Sequence, residues 1–367
     1  MKILVAPNSF KECSSSVELA SLISSELQKK NFTDLLNSPV SDGGDDFLEV
    51  YTHNFPCKSL IFQVKNCYNA EPTLIPAAYD NNTSTFILES AQLIGLRRIP
   101  PIYRNPVKLN SENVGILLKD ILKNHKTVNV LIGLGGTGTT DLGLGLCKAF
   151  GLKLYDHSDA DLEIIPQNYP RVQKITLPEK TSLKIEAVID VLVPLYGKHG
   201  SAFVFAGQKG ASEKDIRNID DGFRNILKIL MRDHNLDFTE RNIGAAGGLA
   251  LGLSLICDLK ITSSHEFLKQ TLGIINKINS SELVITAEGR FDEQSLMNKA
   301  TGVIVNEALS RNKDVVIITG ECLVSFDQYP HPPKVFELIK LLGSKEKALT
   351  QYRTGISLSI NELMYNL

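Results

Sequence analysis

Gly133-Leu-Gly-Gly-Thr-Gly-Thr-Thr-Asp-Leu-Gly-Leu-Gly145 is the stretch on which the reading of the fold turns. Residues 128–132 before it are apolar and partly β-branched, which predicts a buried strand, and residues 146–150 after it predict a helix. Glycines placed there let backbone N–H groups approach an anion with no Cβ in the way, and a helix N-terminus adds partial positive charge. Gly135, Gly136, Thr137, Thr139 and Thr140 are therefore candidate phosphate-binding residues. The same glycines also fit a tight turn with close helix–sheet packing. The spacing Gly133-x-Gly135-x-x-Gly138 matches the dinucleotide fingerprint, and Asp156 follows as an acid for a ribose. An NAD-dependent oxidoreductase thus stands as a remote alternative. No G-x-x-x-x-G-K-[ST] run occurs, so a P-loop nucleotide enzyme is not indicated.

Working outward, short apolar strands are predicted at residues 2–6, 60–75, 83–89, 187–189, 283–286 and 315–319. Helices are predicted after a serine cap at 14–16, over 111–124, where Val114, Leu117, Leu118, Ile121 and Leu122 form an apolar stripe, and over 212–232. Strands alternating with helices predict an α/β fold with substantially parallel sheet, in which ligands bind at the carboxyl ends of strands.

The chain has 367 residues, which suggests two domains. Its net charge of -2 offers nothing for a nucleic acid or an anionic membrane. The six cysteines are far apart and form no C-x-x-C pair, which fits a reduced cytoplasmic protein without a zinc site. The opening apolar run is strand-length rather than a secretory signal, and no run reaches the ~18 apolar residues of a membrane span.

Polar clusters follow the predicted strands. In Asn8-Ser9-Phe10-Lys11, a lysine can neutralise a transferring phosphoryl group or a carboxylate. In Ser41-Asp42-Gly43-Gly44-Asp45-Asp46, clustered carboxylates suit magnesium or general base catalysis. In Glu288-Gly-Arg-Phe-Asp292, Arg290 offers a fork for a substrate carboxylate. The Gln208-Lys209-Gly210 loop has no purpose that its chemistry alone reveals.

In this order, the blocks resemble the glycerate kinase family over nearly the whole chain. Residues 1–11 are similar to its opening strand and Asp-Ser-Phe-Lys-Gly loop, and Ser41-Asp-Gly-Gly44 to its Ala-Asp-Gly-Gly segment. Residues 133–145 look like its central glycine loop; Asp190, Pro194, Leu195 and Gly197 match its Cys-Asp-Val-x-Asn-Pro-Leu-x-Gly element. Glu288-Gly-Arg290, Asp292 and Gln294 match its Gly-Glu-Gly-Arg-x-Asp-x-Gln motif, with Lys299 beyond. Asn8 stands where the family has Asp, and Leu192 and Val193 replace a polar pair.

The resemblance implies ATP-dependent phosphorylation of a hydroxyl of glycerate or a closely similar hydroxy acid. It also implies a two-domain α/β fold, with a Rossmann-like, doubly wound domain (1–75 and 280–367) interrupted by an inserted α/β domain (76–279) that carries the glycine-rich loops. At the positions the resemblance supplies, chemistry lets Lys11 neutralise charge and lets Asp42 or Asp190 orient or deprotonate the hydroxyl or hold Mg2+. Arg290 grips the carboxylate, with Ser9, Glu288 and Asp292 at the substrate. A homodimer is left open. The second reading is a non-catalytic or substrate-shifted descendant that binds a nucleotide or small acid.

Overall fold

The structure, a computed structural model, describes residues 1–11, 13–123, 128–296 and 299–364; residue 124, the end of one expected helix, lies outside them. The chain divides into two compact units, each continuous in space but not in sequence. The first holds residues 1–42, 49–56 and 263–367; the second holds 43–48 and 57–262.

The first unit is built on a parallel sheet, in the order Lys334–Glu337, Asp314–Cys322, Leu283–Phe291, Ile3–Val5 and Leu35–Asn37. Its central strands are apolar at successive positions, Ile3-Leu4-Val5 and Val315 to Ile318 all being buried, because helices cover both faces of a parallel sheet. Helix Ser16–Gln28 begins where the Ser15 hydroxyl accepts the Glu18 N–H. Its Leu19, Ile23 and Leu27 pack with Ile3, Val5, Ile285 and Ile318, and with Ile356 and Ile360 of helix Tyr352–Met364. Helix Ala300–Leu309 contacts strands Leu283–Phe291 and Asp314–Cys322. This is the expected Rossmann-like layering.

The second unit has a mixed sheet in the order Asp258–Ser263, Leu183–Ile189, Val128–Gly133, Thr85–Glu89, Pro72–Asp80, Lys58–Lys65. The three strands from Thr85–Glu89 to Leu183–Ile189 run parallel, and the last two form an antiparallel hairpin. A small antiparallel sheet of Asp161–Leu162, Lys153–Tyr155 and Lys174–Thr176 lies beside it in sequence. The long helix Glu213–His234 opens with a capping box, Ser212 and Asp215 each satisfying the other's backbone N–H.

Where sequence placed one strand over 60–75, the chain makes two. Residues 66–71 turn it back, with Asn66 Oδ1 accepting the Tyr68 and Asn69 N–H groups at 3.1 and 2.9 Å. That hairpin pairs with Thr85–Glu89, so the units divide at 56/57 and 262/263 rather than at 75/76 and 279/280. Residues 43–48 also belong to the second unit. Among the described residues, no helix is long and apolar enough to cross a membrane.

Candidate functional site

In the first unit, parallel pairing carries two loops off the carboxyl edge of the sheet side by side. Ala6 N–H donates to Ile285 O and Asn8 N–H to Ala287 O, both at 2.8 Å, so Asn8 emerges next to Glu288. The Asn8 amide donates to Asp42 Oδ2 at 2.8 Å, and Asp42 Oδ1 accepts the N–H of Ala300 at 2.5 Å. Ala300 is the first residue of helix Ala300–Leu309, whose own cap residue, Lys299, gives it no side-chain bond. Asp42 therefore caps a helix distant in sequence, where the helix dipole favours an anion.

Beside it, Glu288 is 8% exposed. Its Oε1 lies 3.5 Å from Lys299 Nζ, while its buried Oε2 has no hydrogen-bond partner. Burial pushes the Glu288 carboxyl up to about 7; Lys299 opposes the rise and the Asp42 charge adds to it. Burial also raises Asp42, against the pull of Ala300 N–H, the Asn8 amide, Lys11 and Lys299. Arg290 is largely exposed, 3.8 Å from Asp292. Asp292 in turn accepts the Ser295 N–H at 3.2 Å and so starts the short helix Glu293–Leu296. Of the expected residues, Ser9, Lys11, Glu288, Arg290 and Asp292 thus line one cavity of the first unit, and Asp42 is tied to its wall through Asn8. Each oxygen of Asp42 already accepts a hydrogen bond, whereas Glu288 Oε2 is unpaired.

The second unit holds Gly135, Gly136, Thr137, Thr139, Thr140 and Asp190. Asp190 is exposed, directly after strand Leu183–Ile189. Two glycine motifs pack backbone to backbone: a Cβ on Gly135 would come 2.5 Å from Gly44 Cα, and one on Gly133 2.6 Å from Gly43 O. Only Gly135 and Gly136 of the central loop reach the surface, and Gly136 takes a φ of +64°. Thr139 and Thr140 are 0% exposed and their hydroxyls have no partner, so they stand inside the unit rather than at a ligand. Asp141 is equally buried. It accepts Ser111 N–H and Oγ–H at 2.8 Å, Gly145 N–H at 3.1 Å and Gly143 N–H at 3.3 Å, which makes it the staple of the loop.

The dinucleotide reading fails on topology. Strand Val128–Gly133 is flanked by Thr85–Glu89 and Leu183–Ile189. The strand that follows the loop, Lys153–Tyr155, joins a separate antiparallel sheet, and the next strand to pair in parallel with Val128–Gly133 is Leu183–Ile189, so the loop does not sit in a compact βαβ unit of roughly 30 residues. Asp156 turns its Oδ1 to the Ser158 and Ala160 N–H groups at 2.8 and 3.2 Å.

A family model described as the glycerate kinase family matches residues 3–366. The chain belongs to the glycerate kinase family. It is 29% identical over 361 residues to a glycerate kinase of Haemophilus influenzae, with 96% of this chain and 94% of that protein covered. It is also 29% identical over 339 residues to a glycerate 2-kinase of Escherichia coli K12, covering 87% and 85%. A solved structure from Salmonella typhimurium LT2, described as a candidate glycerate kinase 2, superposes with a TM-score of 0.78 at 25% identity; 100% of this chain and 98% of that chain are covered.

Two residues of this family member gain a role that sequence did not give them. Lys299 pairs with Glu288, a contact across eleven residues that no local pattern announces. Lys209 is 3% exposed, and its Nζ donates to Thr139 O at 2.7 Å and lies 3.4 Å from Thr137 Oγ1. Burial drives the Lys209 ammonium down to about 7 from 10.5. The unfolded chain then binds the extra proton between those values, so the Lys209 contribution to stability rises with pH over that window. In Lys209→Met this rise between about pH 7 and 10 is expected to vanish from the thermal midpoint. A variant whose midpoint climbs like the wild type would contradict a buried, proton-shedding Lys209.

Asn8, where relatives were expected to carry Asp, has a definite use: its neutral amide satisfies Asp42. Asn8→Asp sets two carboxylates against each other and is expected to cost about 1–3 kcal/mol at pH 8. Thermal melts should recover part of that loss when magnesium is added, because a cation replaces the missing donor.

Proposed function

We propose that this protein is an ATP-dependent kinase that phosphorylates a hydroxyl of glycerate or a closely similar small hydroxy acid. Family membership supports the reaction class. The observation that carries the chemistry is the buried, open Oε2 of Glu288, with a proton affinity near pH 7, beside Lys299 and the Asn8–Asp42 pair. Glu288 takes the proton of the attacking hydroxyl. As the new oxygen–phosphorus bond forms, the bond to the departing ADP oxygen breaks, and Lys11 and Lys299 offset the charge on the transferring group. Arg290, exposed at the rim, holds the substrate carboxylate as a fork.

Among the described residues no cluster of three or more metal-ligating side chains is present. Magnesium commonly needs only one or two carboxylates beside nucleotide phosphates. Asp42 is the candidate donor of the first unit and Asp190 the exposed carboxylate of the second; Glu288 is kept for the proton. When bound with the nucleotide, Mg2+ would neutralise phosphate charge. In the second unit, anion binding falls to the backbone of Gly135 and Gly136; Thr137 is buried, with its hydroxyl beside Lys209 Nζ. The test is magnesium-dependent ADP release, measured by a coupled assay on adding glycerate. No release with any of several small hydroxy acids, from folded protein, would sink the proposal.

A further inference from the structure

The cavity of the first unit is too large and too apolar for a three-carbon acid alone. It encloses about 380 Å³. Its lining combines charged residues, Lys11, Glu288, Arg290 and Lys299 among them, with the apolar Phe10, Leu338, Ile339, Ala348 and Leu349. A hydroxy acid has a carboxylate, hydroxyls and almost no apolar surface to bury, so it leaves the apolar part of that lining without a partner. Leu349 is 43% exposed there, and Phe10 is held edge-on against Tyr352 with ring centroids 6.4 Å apart. The floor is backbone: Gly289 and Gly320 line it, and a Cβ on Gly320 would come within 2.5 Å of Gly289 O. Lys11, whose charge also acts on Asp42, and Lys345 border the cavity as cations for an anionic ligand.

A ligand with a flat apolar body and several negative charges at one end matches this division, and small-molecule pockets are commonly apolar clefts with a few placed charges. We infer that this cavity is the nucleoside-binding site: the base lies against the apolar wall supplied by Phe10, Leu338, Ile339, Ala348 and Leu349, and the phosphates run toward Lys11 and Lys299. The inference rests on the kinase reading for its choice of ATP as the nucleotide. It gives helix Lys345–Thr350, near the carboxyl end of the chain, the task of base recognition.

Calorimetric titration of the whole protein with ADP and, separately, with inorganic tripolyphosphate tests it. Ala348→Phe fills the apolar side and is expected to weaken ADP binding about tenfold or more while tripolyphosphate binding stays within about twofold. Leu349→Ser, at an exposed position that folding tolerates, should weaken ADP in the same sense by several-fold and leave the KM for the hydroxy acid unchanged. ADP binding indifferent to both substitutions overturns the assignment, as does tripolyphosphate binding to the wild type as tightly as ADP. The two readings separate cleanly. Turnover with nucleotide binding blind to positions 348 and 349 leaves the kinase standing without this site. Nucleotide binding that responds to them, without turnover, leaves the site and removes the kinase.

Discussion

Glu288→Gln is expected to lower kcat by about 10²–10⁴-fold, the usual yield of a positioned base. The wild-type rate should rise with pH and level off above about 7, where the Glu288 carboxyl loses its proton. The variant should lose that limb, because an amide has no proton affinity in this range. Stability gives a second, independent reading. A carboxyl raised from 4.5 to about 7 contributes stability that is full below the lower value and is lost as pH rises through the higher one. Wild-type thermal midpoints should fall over that window, and Glu288→Gln should remove this component. A variant that keeps both the rate and its acid limb would return the proton-acceptor role to another carboxylate, with Asp42 and Asp190 next in line.

The second large effect separates two neighbouring glycines. Gly135→Ala drives a Cβ to 2.5 Å from Gly44 Cα, a backbone atom that cannot swing aside. It is expected to cost about 1–3 kcal/mol, seen as a Tm lower by roughly 2–12 °C. Gly44→Ala looks across the same contact from the other side, but its Cβ meets Gly135 Cα at 3.8 Å, an ordinary packing distance. Its cost should stay within about 0.5 kcal/mol. Equal effects would mean that the two glycine motifs do not pack as described. A Gly135→Ala chain of full stability but without activity would instead favour the anion-binding role of this loop.

Strand and helix identity was legible where the chain is strongly patterned. Ile3–Val5 and Val315 to Ile318 are buried on both faces, and such runs announce parallel strands in any α/β chain. The carboxyl-edge rule likewise drew attention to Asn8–Lys11 and Glu288–Asp292, which the structure gathers at one cavity. What sequence left hidden depends on tertiary approach. Thr139 and Thr140 look like ligands because hydroxyls beside glycines suit phosphate, yet Asp141 is pulled inward by four hydrogen bonds from Ser111, Gly143 and Gly145, and the threonines go in with it. Asp42 looks like a free carboxylate in an Asp-Gly turn, but it caps a helix that begins 258 residues later. The fingerprint around Gly135 pointed to a dinucleotide only because local spacing carries no information on which strand comes next in the sheet.

The kinase proposal itself rests on a transfer that phosphorus NMR can follow directly. Incubating the wild-type protein with ATP, magnesium and glycerate should give ADP and a phosphate monoester of the acid in equal amounts, at a rate that vanishes in Glu288→Gln. ATP consumed with release of inorganic phosphate alone, or signals left unchanged by protein that binds ADP, would contradict it.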